Sequence, residues 1–221
     1  MQILKESRST GPGGLRFCLG DRNRDVASAL ASAFADLDFV EVTCGNLLDA
    51  SPDCVVCPGN SFGDMGGGFD EVVDDLHGGR AQPAVVRAIA QQFMGELPVG
   101  VGLVVDLPDA KRARYLVMAP TMRVPGPAPA IGAYLATRGA LVAISNLLAK
   151  ARPAIQTVAI PGMCTGVGGM TFTEWASQMR TAFASVVDGG WRQVVHPAMA
   201  PYALRGAAQL GAAADRASRG S

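Results

Sequence analysis

The segment CVVCPGNSFGDMGGGFDEVVDD, residues 54–75, joins a short apolar run to an acidic run through a loop with three consecutive glycines. The apolar run has the length of a buried strand, and the acidic residues favour the start of a helix. Glycine adds to the entropic cost of folding, so a turn alone rarely needs three in a row. The segment therefore predicts a strand, a loop and a helix, with a loop that a ligand can approach closely.

Strand and helix patterns alternate on both sides of this unit. Strand-like segments are LRFCLG, FVEVTCG, VGVGLVVDLP, RYLVMAP, QTVAIPGM and RQVVHPA, and helix-like segments are DRNRDVASALASAFADL, AVVRAIAQQFMGEL, AYLATRGALVAISNLLAKA and FTEWASQMRTAFASVV. Asp25 is the expected cap of the first helix, and VGVGLVVDLP and RYLVMAP look like a neighbouring strand pair. The alternation predicts an α/β fold, a three-layer α/β/α sandwich with a mixed, mostly parallel central sheet.

The chain of 221 residues is expected to form one domain, because no charged or Pro/Ser-rich linker divides it. We expect a flexible N-terminus at 1–14 and a domain at 15–205, with a strand and helix added at its start over 15–40. The small, polar residues 206–221 predict a flexible tail.

Composition excludes several classes of partner. Basic and acidic residues balance at 19 each, so no general positive field is available for nucleic-acid phosphates. No apolar run approaches a membrane span, and the N-terminal segment is too polar for a signal peptide. We therefore expect a cytoplasmic protein that binds neither membranes nor nucleic acid in general.

The five cysteines fit reduced thiols in the core, since most lie in apolar segments. Cys54 and Cys57 have the CxxC spacing of a metal site. Three positions apart in a strand, however, they point to opposite faces, and no second pair of ligands accompanies them. We therefore expect no metal site.

Three predicted strands end in loops rich in glycine, proline and small polar residues, at 57–70, 119–129 and 161–174. The carboxyl ends of parallel strands meet at one rim of a sheet, where ligands of α/β proteins bind. In the last loop, glycines precede a helix that Thr171 or Thr173 can cap, an arrangement that suits phosphate, although an ordinary turn is the alternative. Neither glycine loop matches the P-loop or the GxGxxG pattern of dinucleotide-binding folds.

The segment at 42–73 resembles the signature of the macro domain family, which binds ADP-ribose. Four family motifs occur in order as GNLL, CPGN, GGGFD and PGMCTGVGG, and the resemblance spans roughly residues 40–200. It implies ADP-ribose or an ADP-ribosylated substrate as the partner. It also implies catalysis, if present, by hydrolysis at the distal ribose without a metal or cofactor.

The resemblance assigns roles to individual residues. Asp70 matches the acidic residue that orients or activates water in some members, and Asn60 matches the asparagine near the distal ribose. The ligand-binding positions that it implies are Asn46, Gly66, Gly67, Gly68, Phe69, Cys164, Thr165, Gly166, Val167 and Gly168.

Three positions depart from the family pattern: Asn46 replaces an aspartate that binds adenine, Cys57 replaces the first asparagine of NAAN, and Gly168 replaces an aromatic residue. Asp70 also has a structural alternative as a helix cap or first-turn charge, and Asn60 has one as a turn residue. Three hypotheses remain at this point. The protein is a hydrolase of mono-ADP-ribosyl linkages or of ADP-ribose 1''-phosphate, a non-catalytic reader of ADP-ribose, or a scaffold that has lost its ligand.

Overall fold

The computed structural model describes residues 1–7, 9–126, 129–151, 155–165 and 171–193. These residues form seven strands, β1 (Gln2–Lys5), β2 (Arg16–Asp21), β3 (Val40–Cys44), β4 (Cys54–Cys57), β5 (Leu103–Asp106), β6 (Tyr115–Met118) and β7 (Thr157–Pro161). They also form five α-helices, α1 (Arg24–Ala33), α2 (Gly68–Leu76), α3 (Ala81–Phe93), α4 (Gly132–Ala151) and α5 (Phe172–Val186). None of the helices in these ranges combines the length and apolar character needed to cross a bilayer.

The strands form a single sheet in the order β1-β3-β2-β7-β4-β6-β5. The five central strands run parallel, while β1 pairs antiparallel with β3 at one edge and β5 pairs antiparallel with β6 at the other. The predicted mixed, mostly parallel sheet is therefore confirmed, as is the pairing of the two neighbouring strands at 103–106 and 115–118.

Helices cover both faces of the sheet, which confirms the three-layer architecture. Helices α1, α4 and α5 pack over one core, and α2 and α3 pack over the other. Because successive strand residues point to opposite faces, one strand supplies both cores. Cys54 joins the first core and Cys57 the second, as their spacing predicts.

The N-terminal region differs from its expected form in two respects. The segment at 1–14 was expected to be flexible, but Gln2–Lys5 forms strand β1 on the edge of the sheet, where backbone pairing with β3 offsets its weak apolar pattern. The cap of α1 is Asn23 rather than Asp25, since the Asn23 side chain accepts a hydrogen bond from the Asp25 backbone N–H at 2.9 Å. Asp25 lies instead in the first turn.

The added strand at the start of the domain lies in the middle of the sheet. Strand β2 pairs with β3 on one side and with β7 on the other, both parallel. The predicted strand RQVVHPA falls mostly outside the described residues, as does the tail at 206–221.

Candidate functional site

A cleft of about 670 Å³ opens at the carboxyl ends of β2, β7 and β4. The predicted positions that border it are Asn46, Asn60, Gly66, Gly67, Gly68, Phe69, Asp70, Cys164 and Thr165. Gly166, Val167 and Gly168 lie outside the described residues. The fold thus brings together the first glycine-rich loop, the described start of the loop after β7 and the two candidate catalytic side chains.

Asp70 is buried, with 5% of its surface exposed, and its Oδ1 has no hydrogen-bond partner in the described part of the chain. It does not cap α2, because the N-cap position belongs to Gly67, but it does lie in the first turn of the helix, as its structural alternative predicted. A β-carbon at Gly59 would lie 2.6 Å from Asp70 Oδ2, so a glycine there gives the carboxyl group its space. Burial raises the pKa of Asp70 to about 7; a hydrogen bond from the Cys57 thiol opposes the rise, and the negative charge of Asp64 adds to it.

Asn60 both shapes its own loop and lines the cleft. Its side-chain oxygen accepts hydrogen bonds from the backbone N–H groups of Phe62, at 2.9 Å, and Asp64, at 3.5 Å. The turn role proposed as an alternative is therefore present. The side-chain amide nitrogen makes no hydrogen bond within the described ranges, so its N–H donors are available to an oxygen-rich ligand.

Glycine occupies the three positions of the first loop for different structural reasons. Gly68 has φ +64°, a left-handed conformation that favours glycine. Gly67 is extended, and a β-carbon there would meet no atom within 4 Å. Gly66 donates its backbone N–H to Asp64 Oδ1 at 2.9 Å. Only Gly68 is thus required by the backbone, whereas Gly67 keeps the surface of the cleft open.

Short polar contacts form within the loop after β7 and between the loops after β6 and β4. Thr165 donates its hydroxyl to the Gly162 carbonyl at 3.3 Å, and Thr121 donates to the Pro58 carbonyl at 2.8 Å. Cys164 adopts a left-handed backbone conformation, with φ +67°, and burial raises the pKa of its thiol to about 12. The Cys164 thiol therefore stays protonated at neutral pH, which does not suit a nucleophile.

Sequence reasoning missed Asp21 and Arg22, which also line the cleft. Asp21 is the last residue of β2 and Arg22 follows it, and a central position for that strand would have placed both at the rim. The sequence motifs begin only near residue 40, so they gave no reason to include β2 among the strands that form the site.

A metal centre is not evident in this region. Within the described ranges, no group of three or more histidine, cysteine, aspartate or glutamate side chains is arranged to hold a metal ion.

The fold agrees with comparisons to known proteins. A family model described as a macro-like domain matches residues 44–187, well over half of the chain. The chain belongs to the macro-like domain family. Strand β2 and helix α1 of this macro-like domain precede the matched region.

Relatives of this macro-like domain include an uncharacterized protein of Aeropyrum pernix. That protein is 34% identical over 168 residues, which are 75% of this chain and 81% of the relative. Among solved structures, the macrodomain of Mycobacterium tuberculosis DarG is similar in fold, with a TM-score of 0.52 and 22% identity over 66% of this chain and 90% of that one. A glycine-to-valine mutant of the Oceanobacillus iheyensis macrodomain, determined with ADPR, has a TM-score of 0.50 and 17% identity over 65% of this chain and 75% of that one.

Proposed function

We propose that this macro-like domain binds ADP-ribose, with the diphosphate between the loops at 66–68 and 164–168. Helix α2 begins at the first loop, and its N-cap Gly67 offers no side chain to the N–H groups of the first turn. Unclaimed N–H groups at a helix N-terminus favour a phosphate. The presence of ADPR with the Oceanobacillus iheyensis macrodomain supports the same ligand for a cleft of this fold.

We further propose that the protein hydrolyses ADP-ribosyl linkages at the distal ribose. A water molecule attacks the anomeric carbon and gives its proton to Asp70, while the bond to the leaving group breaks and the leaving group departs with the bonding electrons and takes a proton from solvent. Asn60 donates a hydrogen bond to a ribose hydroxyl. The substrate is a mono-ADP-ribosylated protein or small molecule, or ADP-ribose 1''-phosphate.

One observation carries the catalytic part of the proposal: the buried carboxyl group of Asp70, whose pKa is raised to about 7. A group with this pKa is substantially ionised at neutral pH yet basic enough to take a proton from water. Its Oδ1 is buried without a hydrogen-bond partner in the described part of the chain, which favours the neutral acid over the carboxylate and agrees with the raised pKa.

The experiment compares the parent with Asp70→Ala for ADP-ribose affinity by calorimetry and for release of ADP-ribose from a modified protein. Removal of a positioned base should lower turnover by about a hundredfold to ten-thousandfold and leave affinity nearly unchanged. Asp75→Ala is the matched control, because Asp75 lies on the same helix and is exposed outside the cleft. Full turnover in Asp70→Ala would remove this residue from the mechanism.

A non-catalytic reader of ADP-ribose is the second candidate. It is favoured by the hydrogen bonds that commit the Asn60 side-chain oxygen to its own loop, and by Cys57 in place of an asparagine. Binding of ADP-ribose with no turnover of any ADP-ribosylated substrate by the parent would select the reader. Absence of binding would select the scaffold.

A further inference from the structure

The end of the cleft away from Asp70 carries a second carboxylate, on Asp21 at the end of β2. Asp21 Oδ1 accepts a hydrogen bond from the Asn23 backbone N–H at 2.8 Å, which fixes the side chain. A β-carbon at Gly162 would lie 2.5 Å from Asp21 Oδ2, so the second oxygen extends over the backbone of the β7 loop. No hydrogen bond to Oδ2 occurs within the described ranges. Asp21 thus presents a fixed acceptor at the rim.

Asn46 is less suited than Asp21 to bind a ligand at this end of the cleft. Its side-chain oxygen accepts from the Leu48 backbone N–H at 3.3 Å and caps the short 3₁₀ helix Leu47–Ala50. Its amide group donates to Asp49 at 3.0 Å. Both ends of the amide are therefore engaged in local structure.

Strand order sets the distance between the two ends of the cleft. Asp21 ends β2, while Asn60 follows β4, and β7 lies between these strands. Two strand spacings correspond to about 10 Å. An extended ligand whose distal ribose lies at Asp70 and Asn60, and whose diphosphate crosses the end of β7, therefore places its nucleobase near Asp21.

We infer that Asp21 reads the base of the bound nucleotide by accepting a hydrogen bond from the exocyclic amino group of adenine. This inference rests on the proposed binding of ADP-ribose. A carboxylate makes a stronger, charge-assisted bond than an amide oxygen, and it disfavours a base that presents a carbonyl oxygen at the same position. The strand that supplies Asp21 precedes the region matched by the family model, so the proposed contact with the base lies outside that region.

The test compares ADP-ribose with inosine diphosphate ribose, whose hypoxanthine carries an oxygen where adenine has its amino group. Calorimetry should show that the parent prefers ADP-ribose by at least about tenfold. Asp21→Asn keeps an oxygen for Asn23 and turns a donor toward the base, so the two affinities should come within about threefold of each other. Asn46→Ala should leave the parent's preference unchanged.

Asp49→Asn is the matched control for loss of a nearby acidic residue, and unfolding curves establish that each variant is folded. An unchanged preference in folded Asp21→Asn, with ADP-ribose still bound, would overturn the inference while the proposed function stands. If only Asn46→Ala loses the preference for ADP-ribose over inosine diphosphate ribose, Asn46 rather than Asp21 recognises the base. A parent that binds neither nucleotide would overturn the proposed function and this inference together.

Discussion

The thiol of Cys57 donates a hydrogen bond to the carboxylate of Asp70, linking the end of β4 to the first turn of α2. Burial, followed by the negative charge of Asp70, raises the pKa of the Cys57 thiol well above its usual range, so the thiol stays a donor. Burial favours the neutral acid of Asp70, and the thiol favours its ionised form. Cys57, which departs from the family pattern, thus influences the pH at which the candidate base ionises.

Replacement of Cys57 by alanine should raise the pKa of Asp70 further. One lost hydrogen bond of about 1 kcal/mol corresponds to roughly 0.7 pKa units. Titration of the Asp70 carboxyl carbon by NMR measures the shift without reference to turnover. Cys54→Ala is the control, because Cys54 is equally buried in the same strand but faces the other core. Equal midpoints in the two variants would show that the thiol does not influence Asp70.

Asp70→Asn should gain stability relative to the parent as pH rises from about 4 to about 7. In this range the folded parent keeps Asp70 protonated, whereas the unfolded chain ionises it near its ordinary value of 3.8. Unfolding then releases a proton, so the parent loses stability with rising pH. The pKa of Asp70 differs between the folded and unfolded states by about three units. At about 1.4 kcal/mol per unit, the gain in stability relative to the parent is at most about 4 kcal/mol.

Urea unfolding of the parent and Asp70→Asn at about pH 4.5 and about pH 7.5 measures this difference. If the difference in stability between the parent and Asp70→Asn is the same at both pH values, the raised pKa of Asp70 is contradicted. Asp75 is exposed on the same helix, so the stability difference between Asp75→Asn and the parent should change little with pH.

Gly67→Val and Gly68→Ala should separate ligand binding from folding. Gly67 is extended with open space around it, so valine should keep stability within about 0.5 kcal/mol while it obstructs the cleft and lowers ADP-ribose affinity at least about tenfold. Gly68 has a positive φ, so alanine should cost about 1–2 kcal/mol of stability. Calorimetry and urea unfolding of both variants measure the two effects. Unaltered affinity in folded Gly67→Val would contradict the proposed position of the diphosphate.

Asn46→Asp should lower the free energy of unfolding more when Asp49 is present than when Asp49 is replaced. The Asn46 amide donates to Asp49, and an aspartate would instead bring two carboxylates together. At this exposed site the coupling should be about 0.5 kcal/mol and should weaken as salt is added. A double-mutant cycle with Asp49→Asn measures it, and zero coupling at low salt would contradict the contact.

Local patterns predicted much of the fold, because strand length, helical spacing and glycine-rich loops are properties of short segments. The opposite faces of Cys54 and Cys57 followed from strand alternation in the same way. The order of strands depends on pairing between distant segments, which these patterns do not contain. The central place of β2 was therefore missed, and Asp21 was missed with it. Strand β1 was missed because backbone pairing at the sheet edge, rather than its side chains, accounts for it.

The central place of β2 has a consequence for how the chain folds. Arg16 of β2 pairs with Thr157 of β7, a separation of 141 residues. Sheets that depend on such distant pairings fold slowly, because a long loop must close before its contacts form. During synthesis the early strand emerges long before one of its two neighbours exists. We therefore expect the nascent protein to keep a sheet edge unpaired until β7 leaves the ribosome, a state in which chaperones protect exposed strands from aggregation.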